Sequence, residues 1–132
     1  DRLFRASAYV FMKKSERILQ IAGWLSKRFV APYPVEVKTV RMAMDRDGKK
    51  KLLTFGDCLF FDRKFTIRIE SRHSLSIMVD TLLHEYAHAV AHPHKKMWKH
   101  TKDHGPEFAL AWGKIYSAFH DEGGHLESRD HK

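Results

Sequence analysis

The chain has 132 residues, with 24 Lys and Arg against 16 Asp and Glu, for a net charge of +8 with histidines neutral. That length is enough for one domain with a real core, expected to span 1–132. The single cysteine, Cys58, excludes an internal disulfide and a four-cysteine zinc ribbon. No apolar stretch reaches the roughly 20 residues needed to span a membrane. The charge points to DNA or another polyanion as a partner, or to a basic surface that serves only solubility.

From about Leu3 to Val30 the pattern is helical, in one or two pieces. Arg2, Arg5, Lys13 and Lys14 interrupt it, so it contains no long apolar segment of a secretory signal. Asp1 in place of Met suggests a trimmed start. The expected location is the cytoplasm or a DNA-associated compartment, or a virion if the chain is viral. Ile18, Ile21, Ala22, Leu25 and Phe29 form the helical stripe, and Ser15 is placed to cap a second piece. Pro32 and Pro34 end this region.

The period then changes. Val35, Val37, Val40, Met42 and Met44 read as a strand with one break in alternation, as a bulge would produce. Asp45, Arg46, Asp47 and Gly48 are turn residues, and Lys49, Lys50 and Lys51 follow at the tip. Leu53 to Phe61 reads as a second strand, disturbed at Gly56 and Asp57, with Cys58 a small buried strand residue. Phe65, Ile67 and Ile69 alternate with Thr66, Arg68 and Glu70, the pattern of a half-buried third strand. An antiparallel or mixed three-stranded sheet is expected.

Ser74 to His92 returns to helical spacing. Leu75, Met78, Val79, Leu82, Leu83, Tyr86 and Val90 form one stripe, and Pro93 ends the helix near His92. Within it, His84, Glu85, Tyr86, Ala87 and His88 spell H-E-x-x-H. Residues four apart share a helix face, so His84 and His88 can reach one metal ion. Glu85 lies beside the first histidine, where it can take the proton of a water held at the metal. At roughly 100° per residue the two histidines point nearly opposite the apolar stripe, either lining a cleft or facing solvent. Asp80, one turn before His84, is placed to orient that ring or simply to face water.

A loop of about a dozen residues then runs to Gly105, long enough to suggest function. It carries Lys95, Lys96, Lys99 and Lys102, with Trp98, His100 and Tyr116 nearby in sequence, a set that can grip a phosphate backbone and stack on a base or form a solvated loop. Pro106 opens the last helix with Glu107 in its first turn, and Phe108, Trp112, Ile115, Tyr116 and Phe119 form its apolar face. From Asp121 the chain is polar and expected to be mobile, and His120, His125 and His131 read as tail residues.

A catalytic zinc takes three protein ligands and keeps one open position. The residues leave three candidates for the third ligand. His94 has the spacing of H-E-x-x-H-x-x-G-x-x-H, but Ala91 stands at the glycine position and no methionine follows Met97. Glu107 lies at a plausible carboxylate distance and also suits the helix dipole. His104 sits in the run Asp103, His104, Gly105, Pro106, Glu107, Phe108.

The segment from Thr81 to His88, followed by a loop and then His-Gly-Pro-Glu-Phe opening a helix, resembles the SprT-like family, which includes the Spartan proteases. The resemblance covers roughly residues 15 to 119, and its specific parts are these two motifs. It implies zinc bound by His84, His88 and His104, one ion per chain, and Glu85 as the catalytic base. It implies a minimal zincin-like α+β domain: N-terminal helix, small sheet, motif helix, long loop and closing helix. The implied activity is a zinc metalloendopeptidase acting on protein substrates, DNA-associated ones among them. Many members of that family carry a zinc ribbon or extended DNA-binding region, and these 132 residues contain neither. Two other readings stay open: a non-catalytic basic zinc protein that binds DNA or a viral assembly, and a peptidase for one dedicated assembly protein.

Overall fold

A computed structural model describes residues 13–42, 55–92 and 105–123. It has an α+β fold with the order α1 (Lys14–Arg28), β1 (Val35–Val40), β2 (Gly56–Phe61), β3 (Lys64–Glu70), α2 (Leu75–Val90) and α3 (Pro106–Ala118). None of the described helices is long and apolar enough to cross a membrane.

The first described helix begins at Lys14, with Lys13 rather than Ser15 at its cap, and the expected helical residues 3–12 lie outside the described residues. Glu16, in its first turn, accepts the Lys13 N–H at 2.8 Å and satisfies one of the free donors there. Its stripe is as expected: Ile18, Ile21 and Leu25 are fully buried.

The sheet is mixed, in the order β1-β3-β2. β1 runs parallel to β3, from Val35 opposite Phe65 to Val40 opposite Glu70. β2 runs antiparallel to β3, from Gly56 opposite Ile69 to Phe61 opposite Lys64. Both registers are unbroken, so neither expected irregularity exists. The break in alternation near Val40 is the end of β1. There Ser71 donates to the Val40 carbonyl at 2.9 Å, and the Glu70 carboxylate accepts the Met42 N–H at 2.8 Å. Gly56 and Asp57 pair normally with Ile69 and Arg68. Met44, the Asp45–Gly48 turn, the lysines at 49–51 and Leu53 lie outside the described residues.

A two-residue turn joins β2 to β3. Asp62 and Arg63 have φ of 54° and 59°, the left-handed conformations that match a hairpin to the twist of its strands. Asp tolerates this conformation well, whereas Arg adopts it at some steric cost.

Alternation puts Phe65, Ile67 and Ile69 of the central strand on the covered face, all fully buried. The other face carries cross-strand ion pairs, Arg68 with Asp57 and Lys64 with Glu36. The described helices cover the other side, that of Phe65, Ile67 and Ile69. A single core joins Ile18, Ile21 and Leu25 of α1, Ile67 and Ile69, most of α2, and Phe108, Ala111 and Ile115 of α3. α2 lies between the sheet, α1 and α3, which is why it is buried over most of its circumference.

α3 starts as expected, with Pro106 in the first turn and Glu107 exposed beside it. It runs on into a π-helical turn, Phe119–Gly123, so the polar stretch from Asp121 begins in helix rather than in a free tail. The Arg28 guanidinium grips Glu122 there, with Nε to Oε1 at 3.0 Å and a second nitrogen to Oε2 at 3.1 Å. Both side chains are nearly half exposed, so the pair adds little stability.

Candidate metal centre and cleft

The Ser74 hydroxyl caps α2 by accepting the Ile77 N–H at 3.3 Å, and the helix continues unbroken through the motif. It ends at Val90, two residues before the expected stop. His84 and His88 stand one turn apart with ring centroids 5.0 Å apart. Tyr86 faces the other way, almost fully buried, and its hydroxyl donates to the Phe29 carbonyl at 3.0 Å. Burial pushes the Tyr86 phenol up to about 12, so it remains a donor. That bond ties α2 to the end of α1 and fixes the roll of the helix, and with it the direction of the histidines.

The histidines do not face open solvent. α3 lies across them, with the Phe108 ring centroid 4.3 Å from His88 and 5.1 Å from His84. Trp112 is 5.4 Å from His84. Both imidazoles are half-buried. Periodicity marked this side of α2 as the polar one, but it could not register that a second helix packs there.

Glu85 lies between the histidines in sequence and is half-buried. Burial, aided by the negative charge of Asp57, pushes its carboxyl up to about 7. A carboxyl in that range can take a proton and return it near neutral pH. Cys58 is packed against the core from β2. Burial, with the charges of Glu85 and Asp57, pushes its thiol up to about 12. A thiol packed into the core and held protonated fits the expected role as a small strand residue.

A cleft of about 650 Å³ opens between the start of β2, the middle of α2 and α3. Phe55, Gly56, Asp80, Thr81, His84, Glu85, Trp112 and Tyr116 line it, with no Lys or Arg among them. Gly56 is required by close approach. A Cβ there would lie 2.5 Å from the Arg68 carbonyl oxygen and 2.7 Å from a Thr81 methyl. Tyr116, expected on the apolar face of the last helix, is 41% exposed at the cleft, and Phe55 is 42% exposed. Phe55, Gly56, Thr81 and Trp112 were not singled out for this site. Their positions depend on which elements meet, and no local pattern carries that information.

His84 and His88 fit two donors of a zinc site: imidazoles on one helix face, partly shielded from water, with a carboxylate alongside. Among the described residues, no group of three or more His, Cys, Asp and Glu side chains is placed to hold a metal ion. His104, the expected third ligand, lies outside the described residues, as do His94, Lys95, Lys96, Lys99 and Lys102. The chain resumes at Gly105, the N-cap of α3, and Phe108 in the first turn touches both histidines. Glu107, the remaining candidate, is exposed. The chain matches no family model, and comparison with curated proteins and with solved structures finds no significant match.

Proposed function

We propose that the protein is a zinc-dependent endopeptidase, with zinc held by His84, His88 and His104 and with Glu85 as general base. The observation that carries this reading is the half-buried Glu85 and His84 in one cleft, with His88 beside His84 at 5.0 Å. Bound zinc would supply Lewis acidity, polarising a scissile carbonyl and making a water more acidic. Glu85 would take the proton of the attacking water and deliver it to the leaving amine. Phe108 and Trp112, against the imidazoles, exclude bulk water from one side and hold the rings in place.

The sheet supplies a place for the substrate. β2 is an outer strand among the described residues, and its start lines the same cleft as Glu85. An extended peptide adding to that edge would pass the carboxylate, held chiefly by main-chain hydrogen bonds. Such binding tolerates many sequences. The charge of +8 supports DNA as a surface on which protein substrates are met.

The test is metal content and proteolysis of the wild type and Glu85→Gln, each with and without single-stranded DNA. The wild type is expected to hold one zinc per chain and to cleave an unfolded protein. Glu85→Gln is expected to keep zinc and fold but to lose about 10²–10⁴-fold in rate, because an amide cannot accept the proton. Absence of stoichiometric zinc, or equal cleavage by the variant, overturns the reading.

A further inference from the structure

We infer that the cleft beside Glu85 is a selective subsite for a lysine or arginine side chain of the bound polypeptide. The inference rests on the peptidase reading and names its substrate class: basic proteins. Four residues carry it. Trp112 and Tyr116 stand one turn apart on α3, with ring centroids 5.5 Å apart and planes 31° apart, and both face the cleft. Phe55 lines the cleft from the strand side. Asp80 lines it from α2, exposed and one turn before His84.

The chemistry of the cleft is unlike that of the chain as a whole. The sequence has 24 Lys and Arg against 16 Asp and Glu, yet among the described residues this lining holds two carboxylates, Asp80 and Glu85, and no Lys or Arg; zinc on His84 would offset the charge of Glu85, which leaves Asp80 as the acid of the subsite. Three aromatic rings with an acid among them suit a side chain with an apolar stem and a positive end. The stem of a lysine or arginine would lie along Trp112 and Tyr116. The cation would meet the ring faces and Asp80. A norleucine side chain would keep only the stem contacts, and a glutamate would meet like charge. The exposed ion pair and cation–π contact together amount to roughly tenfold in selectivity. Opposite charges would then divide two tasks, with the basic surface drawing the protein to a polyanion and Asp80 with its aromatic neighbours taking basic side chains of the proteins bound to it.

The experiment uses the zinc-loaded full chain and a set of peptides identical except at one position, scanned across the cleaved bond with Lys, Arg, norleucine and Glu. At one position Lys and Arg are expected to exceed norleucine roughly tenfold in kcat/KM. Asp80→Asn should bring that ratio towards one, and Asp80→Lys should turn the preference towards Glu. Cleavage without preference for a cation, or a preference that survives Asp80→Asn, overturns the subsite and leaves the peptidase reading intact.

A second measurement does not depend on cleavage. In Glu85→Gln, the Trp112 indole NMR signal, assigned with Trp112→Phe, is followed during titration with the Lys and norleucine peptides. It should move with the Lys peptide, and Asp80→Asn should weaken that response. If no peptide is cleaved, the peptidase reading fails, and this titration alone judges the subsite. A Lys-dependent shift then keeps it as a site for basic polypeptides, and no shift overturns it.

Discussion

Two carboxylates on successive elements, Glu70 and Glu85, sit in opposite electrostatic surroundings. Glu70 is 4% exposed, but it faces the Arg72 guanidinium and accepts the backbone N–H of Met42 and of Arg72, each at 2.8 Å. The Arg72 side-chain hydrogen bonds hold its carboxyl down at about 2, against the cost of burial. Among the described residues no such donor offsets the burial of Glu85, and its carboxyl rises to about 7. The first carboxylate is held by its partners, and the second is the general base of the proposed reaction. A depressed folded-state value means that Glu70 contributes stability above its unfolded value, roughly 4.3, and loses it as pH falls towards 2. Glu70→Gln is expected to lower unfolding stability by about 1–3 kcal/mol at neutral pH. The gap to wild type should close in denaturant titrations repeated down to acid pH. The third ligand is also decided at this scale. His104→Ala should weaken zinc binding far more than His94→Ala in metal titrations, because the His-Gly-Pro-Glu-Phe run carries the family resemblance while Ala91 stands where the alternative pattern needs glycine. Loss of metal in His94→Ala alone would reverse the assignment.

Between elements, the decisive contact is β2 against α2. Gly56 lets the strand approach Thr81 and the neighbouring Arg68 backbone too closely for any side chain. That approach places the strand edge and Glu85 in one cleft. Gly56→Ala should therefore cost about 1–3 kcal/mol by overpacking, read as a lower denaturation midpoint. If the strand and helix separate to relieve the clash, peptidase activity should fall with stability while zinc content holds. In the sequence Gly56 looked like a flaw in a strand, since a glycine that weakens a strand and one that admits a helix have the same letter. The hairpin turn at Asp62 and Arg63 was equally hidden, because Arg63 lacks the glycine that usually marks such a turn. The helices were easier to read. α1 and α2 show their buried residues at helical spacing, with Ile18, Ile21 and Leu25 in one and Met78, Val79, Leu82, Leu83 and Tyr86 in the other.

Across the whole molecule, charge and cleft point to different partners. The net +8 and the lysines at 95, 96, 99 and 102 support weak DNA binding with little sequence preference. In fluorescence-anisotropy titrations, log affinity should fall linearly with log salt, with a slope of about −0.9 per duplex phosphate neutralised and about −0.7 for single strands. Changing the four lysines to Glu should weaken binding and any stimulation of cleavage by DNA, while zinc content stays constant. No binding even at low salt would favour a dedicated acidic protein partner for the basic surface.

The sequence by itself determined the elements, their order and the motif. Those depend on local periodicity and spacing: period two in β3, period near 3.6 in α1 and α2, and four residues between His84 and His88. Only the tertiary structure decided what surrounds the motif. It put α3 across the imidazoles, turned Tyr116 of the apolar face of α3 to the cleft, and seated Gly56 against Thr81. It also decided that Glu85 and Cys58 are raised, through burial, while Glu70 is lowered by its partners. The reason is physical. Helical and strand periods are set by neighbours along the chain, whereas desolvation, close packing and charge–charge contact are set by residues brought together from distant parts of it.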